Sequence, residues 1–183
     1  MTRNDRPSPD SRRSAELSED ASTHETLFLL SISRDEDDAA ALRADLKRST
    51  LLRYKLQHCA NIDDAHHLLQ VCGFDLVFLR LDDFQDRQAA VDLVLKSDKD
   101  LALIALATGR LLGSDAFVLP SGIDATCRIE DLSPSLIASL VNGVIDRKRG
   151  AKERERLAEE LEFAIDSGDL GYWSLDIETG RLE

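Results

Sequence analysis

Basic residues are in the minority in this chain: 23 Lys and Arg stand against 35 Asp and Glu, a formal net charge of −12 over 183 residues. A surplus of negative charge of that size works against generic binding to nucleic acid or to anionic lipid. Cysteine is scarce. Cys59, Cys72 and Cys127 are odd in number, share no CxxC spacing and lie in apolar stretches, so they read as reduced core thiols of a cytoplasmic protein. No apolar run approaches the roughly 20 residues needed to cross a bilayer, and no signal-peptide pattern opens the chain. The loops that carry common enzyme chemistry are missing as well: there is no GxxxxGK[ST], no GxGxxG after the first strand, no GxSxG and no HExxH. An enzymatic reading therefore lacks residues to carry it, and no cofactor is implied. His66 and His67 make no metal pair, because adjacent helix positions point apart, and His58 falls in the preceding strand or loop.

What is present falls into four regions. Residues 1–24 hold two of the four prolines, many serines and mixed charge with scarcely an apolar residue, the composition of a disordered leader. Residues 25–149 alternate short apolar runs with amphipathic stretches. The strand candidates are Leu27 to Ser33, Leu52 to Cys59, Asp75 to Leu81, Leu101 to Ala107 and Ala125 to Ile129; the helix candidates are Asp35 to Arg48, Ile62 to Cys72, Asp86 to Lys96, a weak one near Leu111 to Leu119, and Pro134 to Arg149. Five repeats of strand then helix imply right-handed crossovers and a five-stranded parallel sheet covered on both faces. For this length the expected fold is α/β, doubly wound and flavodoxin-like, with strand order 2-1-3-4-5 and a C-terminal helical extension. Residues 150–165 read as a linker helix with coiled-coil character, and 166–183 as the start of a further domain.

The segment Phe74-Asp75-Leu76-Val77-Phe78-Leu79-Arg80-Leu81-Asp82-Asp83 is a short buried strand that ends in charge. It resembles the third strand of bacterial response-regulator receiver domains, which ends in the aspartate that takes a phosphoryl group from a histidine kinase. The matching position here is Arg80. After it, Thr108 in Leu106-Ala107-Thr108-Gly109 falls at the family's switch Ser/Thr, and Gly122-Ile123-Asp124-Ala125-Thr126-Cys127-Arg128 is similar to the family's Gly-Ala-Asp-Asp-Tyr-Leu-x-Lys run, with Arg128 at the lysine. The distances from 80 to 108 and from 108 to 128 are typical of receivers, and the resemblance covers about two thirds of the chain.

The departures from that family carry the functional expectation. A guanidinium is cationic at any working pH and is no nucleophile, so Arg80 cannot be an acceptor. Receivers hold Mg²⁺ through an acid pair after the first strand, because a hard dication needs anionic oxygens; Ser33 and Arg34 stand there, followed by Asp35, Glu36, Asp37 and Asp38, so a shift of one or two residues would restore an acid. The family's strand-five aromatic is Ala125, and the proline after its lysine is Ile129. No metal is expected at this crevice. Asp82 and Asp83 fall just past the strand end, where acids more often cap a loop or pair with Arg80 than act as displaced acceptors. Arg128 is placed to pair with Glu130 or Asp131.

Ser133-Pro134 supplies an N-cap and a first-turn proline for the last helix. From Asp146 to Glu162 the chain holds six basic and six acidic residues, with Ala151, Arg154, Ala158, Leu161 and Ile165 at three-four spacing, a seam weakened by Arg154 and interrupted at Gly150. Leu136, Leu140, Val144 and Leu161 are the expected residues of a homodimer helix. The terminal stretch from Leu161, with Gly171-Tyr172-Trp173 and Asp176-Ile177-Glu178-Thr179-Gly180, looks like the start of a PAS domain. Together these imply a degenerate, non-phosphorylated receiver in a multidomain two-component protein, such as a histidine kinase or a cyclic-di-GMP enzyme, with a downstream PAS and output domain and a histidine kinase as further partner. A second reading stays open: a receiver still phosphorylated, or binding an anion near Arg80, Thr108 and Arg128. Arg80 buried against Asp35 or Asp82 would favour the first, an empty basic pocket the second.

Overall fold

A computed structural model of the chain describes residues 26–49 and 52–168. The expected leader and the expected start of a PAS domain beyond Gly168 lie outside the described residues. Five strands, β1 (Leu27–Ile32), β2 (Tyr54–Cys59), β3 (Leu76–Arg80), β4 (Ala102–Ala107) and β5 (Ala125–Arg128), form one parallel sheet in the order β2-β1-β3-β4-β5. This is the doubly wound order that the strand-helix alternation implied. The helices are α1 (Glu36–Arg48), α2 (Ile62–Val71), α3 (Arg87–Leu95), α4 (Gly109–Leu112) and α5 (Pro134–Gly168).

The interior strands are apolar on both faces because helices cover both faces. Leu29, Leu76, Phe78, Ile104 and Leu106 pack with α1 and α5 through Leu42, Leu46, Ile137, Val141 and Val144. On the other face Leu30, Val77, Leu79, Leu103 and Ala105 pack with α2 and α3 through Ala65, Val91 and Val94. Each helix start is fixed by a short polar side chain: Asp35 accepts from the Asp37 N–H, Asn61 from Asp64, Asp86 from Ala89, and the Ser133 hydroxyl from Leu136. Where the chain turns into β5, Gly122 sits at φ +90° and a Cβ there would stand 2.6 Å from Leu95 Cδ1. Only glycine satisfies both the backbone and the space.

Two expectations need correcting. The helix anticipated over Leu111 to Leu119 is a single turn at Gly109–Leu112; Gly113 and the Ser114-Asp115 pair end it, and the chain reaches β5 through a loop tied by Gln88 to Ser121. Cys59 and Cys127 are buried free thiols, but Cys72, the C-cap of α2, is exposed beside the equally exposed Val71. The expected C-terminal helical extension is continuous with the last helix of the domain: α5 runs unbroken through Gly150 for 35 residues, about 50 Å at the α-helical rise. Its first half is anchored in the core; from Ala151 to Ala164 every residue is exposed.

Gly122→Ala is expected to lower stability by about 1–3 kcal/mol, the cost of forcing a side chain into a left-handed backbone and a close contact. Gly150 has nothing within 4 Å of a Cβ, so Gly150→Ala should raise stability by up to about 1 kcal/mol. Urea unfolding of the two variants measures both. Burial pushes the Cys59 and Cys127 thiols up from their ordinary range, aided by Asp64 and Asp131 respectively. Alkylation of the native protein near neutral pH should therefore mark Cys72 first, with Cys59 and Cys127 labelled only on unfolding.

Candidate functional site

The C-terminal ends of β1, β3, β4 and β5 form one edge of the sheet, and the expected site residues gather there. Ser33 follows β1. It is buried, and its hydroxyl donates to the Asp35 carbonyl and accepts from the Asp35 N–H, closing the turn into α1. Arg34 is exposed and contributes its backbone N–H, which donates to Asp83 Oδ2 at 2.8 Å. Neither side chain points an acid into the crevice. Asp35 is the α1 N-cap.

Arg80 closes β3 with its side chain only 17% exposed. Its register partner on β4 is Leu106, which fixes the guanidinium on the α1 side of the sheet. There it meets three carboxylates. Asp38 on the first turn of α1 pairs with Nη1, Asp35 Oδ2 lies 3.9 Å from Nη1, and Asp83 Oδ1 lies 3.9 Å from Nε. Asp35 and Asp83 were expected; Asp38 was missed. The signal was available, since positions three apart share a helix face and Asp38 stands three after Asp35. The guanidinium also lines a cavity of about 100 Å³ with Ser31, Ser33, Asp38, Asp45 and the apolar residues Leu106, Ile129 and Leu132.

Asp82 takes a different partner. It sits in the 3₁₀ turn Leu81–Asp83 after β3, and its carboxylate accepts from Thr108 twice, at 2.6 Å from Oγ1 and 2.8 Å from the backbone N–H. Thr108 is thereby both the N-cap of α4, accepting from Leu111 N–H, and a donor into the β3 turn. One residue on, both oxygens of Glu130 accept from the Gly109 N–H at 3.0–3.1 Å. The expected pairing of Arg128 with Glu130 or Asp131 is not formed, because Glu130 is drawn to the open amide of α4 instead. Arg128 is exposed, and among the described residues its side chain has no ion pair. Arg80, Thr108 and Arg128 thus share a sheet edge without converging on one point: the first is enclosed by acids, the second is committed to Asp82, and the third faces solvent.

Chemically the crevice is self-neutralising. Its cation is a side chain, and its exposed amides and hydroxyl are met by the chain's own carboxylates. Among the described residues no group of three or more His, Cys, Asp or Glu side chains is placed to hold a metal ion, and no helix is long and apolar enough to cross a membrane.

Of the residues proposed for a dimer helix, Val144 is spent in the core at 1% exposure, and Leu136 and Leu140 pack against the core's edge. Leu161 is exposed. Val144 is the correction: it shares the helix side of Val141 and Ile137, which the sheet covers.

Arg80→Met should cost about 3 kcal/mol, because it strands carboxylates that a guanidinium compensates. For the second contact, a double-mutant cycle of Asp82→Asn and Thr108→Val, read by urea unfolding, should return a coupling of about 1.5–3 kcal/mol, the range for a hydrogen bond to a charged group. Additivity within error would show that the two bonds at 2.6 and 2.8 Å add nothing.

No protein-family model matches the sequence, and no curated protein matches it. Solved structures do match the fold. A CheY-like response regulator receiver domain protein from Methanospirillum hungatei is similar with a TM-score of 0.57 at 14% identity, over 69% of this chain and 99% of that one. The receiver domain of a sensor histidine kinase from Pseudomonas aeruginosa, solved with a magnesium ion in its active-site cleft, gives 0.56 at 14% identity over 67% and 99%. The N-terminal domain of a response regulator/sensory box/GGDEF three-domain protein from Carboxydothermus hydrogenoformans gives 0.54 at 9% identity over 68% and 98%. The chain has the fold of response-regulator receiver domains, extended by a long C-terminal helix.

Proposed function

We propose that this chain is a pseudo-receiver: a receiver-fold module of a bacterial signal-transduction protein that takes no phosphoryl group of its own and acts by protein contacts, passing changes along α5 to the domain that follows. The observation that carries this reading is the pairing of Arg80 with Asp38, Asp35 and Asp83. A phosphoryl acceptor must be a nucleophile with a vacant approach. Here the end of β3 carries a cation, and the acids nearest it are engaged, Asp83 also by the Arg34 N–H and Asp82 by Thr108.

The alternative, a phosphate or carboxylate held by Arg80, Thr108 and Arg128, is disfavoured by the same contacts. An incoming anion would have to displace carboxylates that are covalently part of the chain and so present at high effective concentration. α5 supports the contact-based mechanism, since it is rooted in the core beside β4 and continues far past it. The fold neighbours in a histidine kinase and in a sensory box/GGDEF protein agree with an output of either kind, joined through a PAS domain.

Incubation with acetyl phosphate and Mg²⁺, followed by intact-mass analysis, should give no adduct, and a fluoride phosphate mimic should leave the amide NMR spectrum unchanged. The Arg80→Asp variant should stay unlabelled too, because Ser33 and Arg34 still occupy the acid-pair positions. A stoichiometric adduct on Asp35, Asp82 or Asp83 of the unmodified chain would overturn the reading.

A further inference from the structure

The cavity beside Arg80 reaches past the crevice to the inward side of α1. That helix contributes Asp38, Ala41 and Asp45 to it, positions three and four apart that share one helix face. Ala41 is exposed and also lines the cavity, so the gap its small side chain leaves between the two acids is where the cavity meets solvent. The other walls are largely apolar: Leu106 of β4, with Ile129 and Leu132 of the turn that leads into the Ser133 N-cap of α5. Ser31 of β1 lines the same space.

Charge in this space does not balance. Asp38 answers Arg80, which leaves Asp45 as a second acid on the lining. The Asp45 side chain is 17% exposed, and among the described residues its one ion pair is an approach of 3.8 Å by Arg48, whose own side chain is 71% exposed. A pair with one partner in solvent does little to compensate a carboxylate mostly removed from water. Ser31 is 3% exposed, yet among the described residues its hydroxyl makes no hydrogen bond. Its register partner on β2, His58, has both ring nitrogens buried and equally without a hydrogen-bond partner. A buried hydroxyl and a buried carboxylate left unanswered each cost free energy, and a cation rich in donors between them would answer both. An anion would be repelled by Asp38 and Asp45. A primary ammonium suits the space, with three N–H donors on a compact head. At the ~30 Å³ that a water-sized group occupies, a cavity of about 100 Å³ takes roughly three to four non-hydrogen atoms.

We propose that the cavity between α1 and the root of α5 is a binding site for a short-chain primary alkylammonium ion, with its head on Asp45 and Ser31 and its chain against Leu106, Ile129 and Leu132. The site is independent of the phosphoryl question: Arg80 keeps Asp38, and the contact-based reading stands whether or not an amine binds. Occupancy braces Leu132, the residue before the α5 N-cap, against α1. A small amine bound here therefore acts directly on the start of the helix that leaves the domain.

The test titrates the full 183-residue chain with propylammonium chloride, followed by calorimetry and amide NMR at fixed ionic strength, beside n-propanol and propionate. For so small a ligand a dissociation constant on the order of 1 mM is expected, with shifts at the Ser31, Asp45 and Leu132 amides. The alcohol and the carboxylate should bind about tenfold more weakly or worse. Asp45→Asn should weaken propylammonium by a similar factor. Ala41→Leu, at an exposed helix position where leucine carries little propensity cost, should block the mouth and abolish binding with the urea midpoint unchanged. Glu159→Gln, on the exposed outer part of α5, should leave binding unaltered. No saturable shift at tens of millimolar, n-propanol binding as tightly as propylammonium, or unchanged binding in Ala41→Leu overturns the proposal. So does an equal loss in Glu159→Gln and Asp45→Asn, the mark of diffuse attraction to an acidic surface.

Discussion

A charge that is mostly removed from water must be answered by other charges or hydrogen bonds, and the upper edge of this molecule is organised by that requirement. Arg80 is the residue that imposes it. Its position at the end of a buried strand leaves the guanidinium largely out of solvent, so acids at the start of α1 and Asp83 in the turn after β3 are needed to compensate it. Those two demands fix the direction in which α1 leaves β1. They also determine which acid is left to hold Thr108. The link from β3 to β4 and α4 is thus a consequence of how β3 and α1 share one cation.

The same accounting separates the two aspartates that follow the strand. Asp83 turns toward Arg80 and the Arg34 amide, while Asp82 turns the other way, toward β4. Each supplies carboxylate oxygens where a receiver-type crevice would otherwise present open donors. The arrangement is self-contained: the Arg34 and Gly109 amides and both donors of Thr108 are met by Asp83, Glu130 and Asp82 of the same chain. Under the reading proposed above, a crevice filled by its own carboxylates leaves signalling to surfaces away from it and to the helix that leaves the domain.

Much of the fold was legible because parallel sheets buried on both faces write themselves as uninterrupted apolar runs, as in Leu76 to Leu79 and Ala102 to Ala107. Strand order followed from crossover handedness and length. Arg80, Thr108 and Arg128 could be placed at the sheet edge from the resemblance to receiver domains together with their spacing. What could not be read was which acid each would meet: eight carboxylates lie within a few residues of the crevice, and the choice among them depends on side-chain direction at helix starts, as with Asp38, and on competition from backbone amides, as with Glu130 and Gly109. The collapse of α4 to one turn was hidden because Leu111 and Leu112 look helical, whereas the Gly-Ser-Asp run behind them sets the end. Val144 was misassigned to a seam because it stands one turn after Leu140, and positions four apart share a helix face whichever side the core covers.

One carboxylate deep in the loop before β5 joins two parts of the molecule that a diagram of elements would keep apart. Asp124 accepts from the Leu103 N–H through Oδ2 and pairs with Lys148 through Oδ1 at 3.4 Å, while its carbonyl accepts from Arg147. The mouth of the sheet between β4 and β5 is consequently fastened to the point where α5 leaves the core. Loosening that mouth and releasing the helix root are a single mechanical event, so slow exchange at the Leu103 amide and rigidity of α5 near Lys148 should rise and fall together as one cooperative unit.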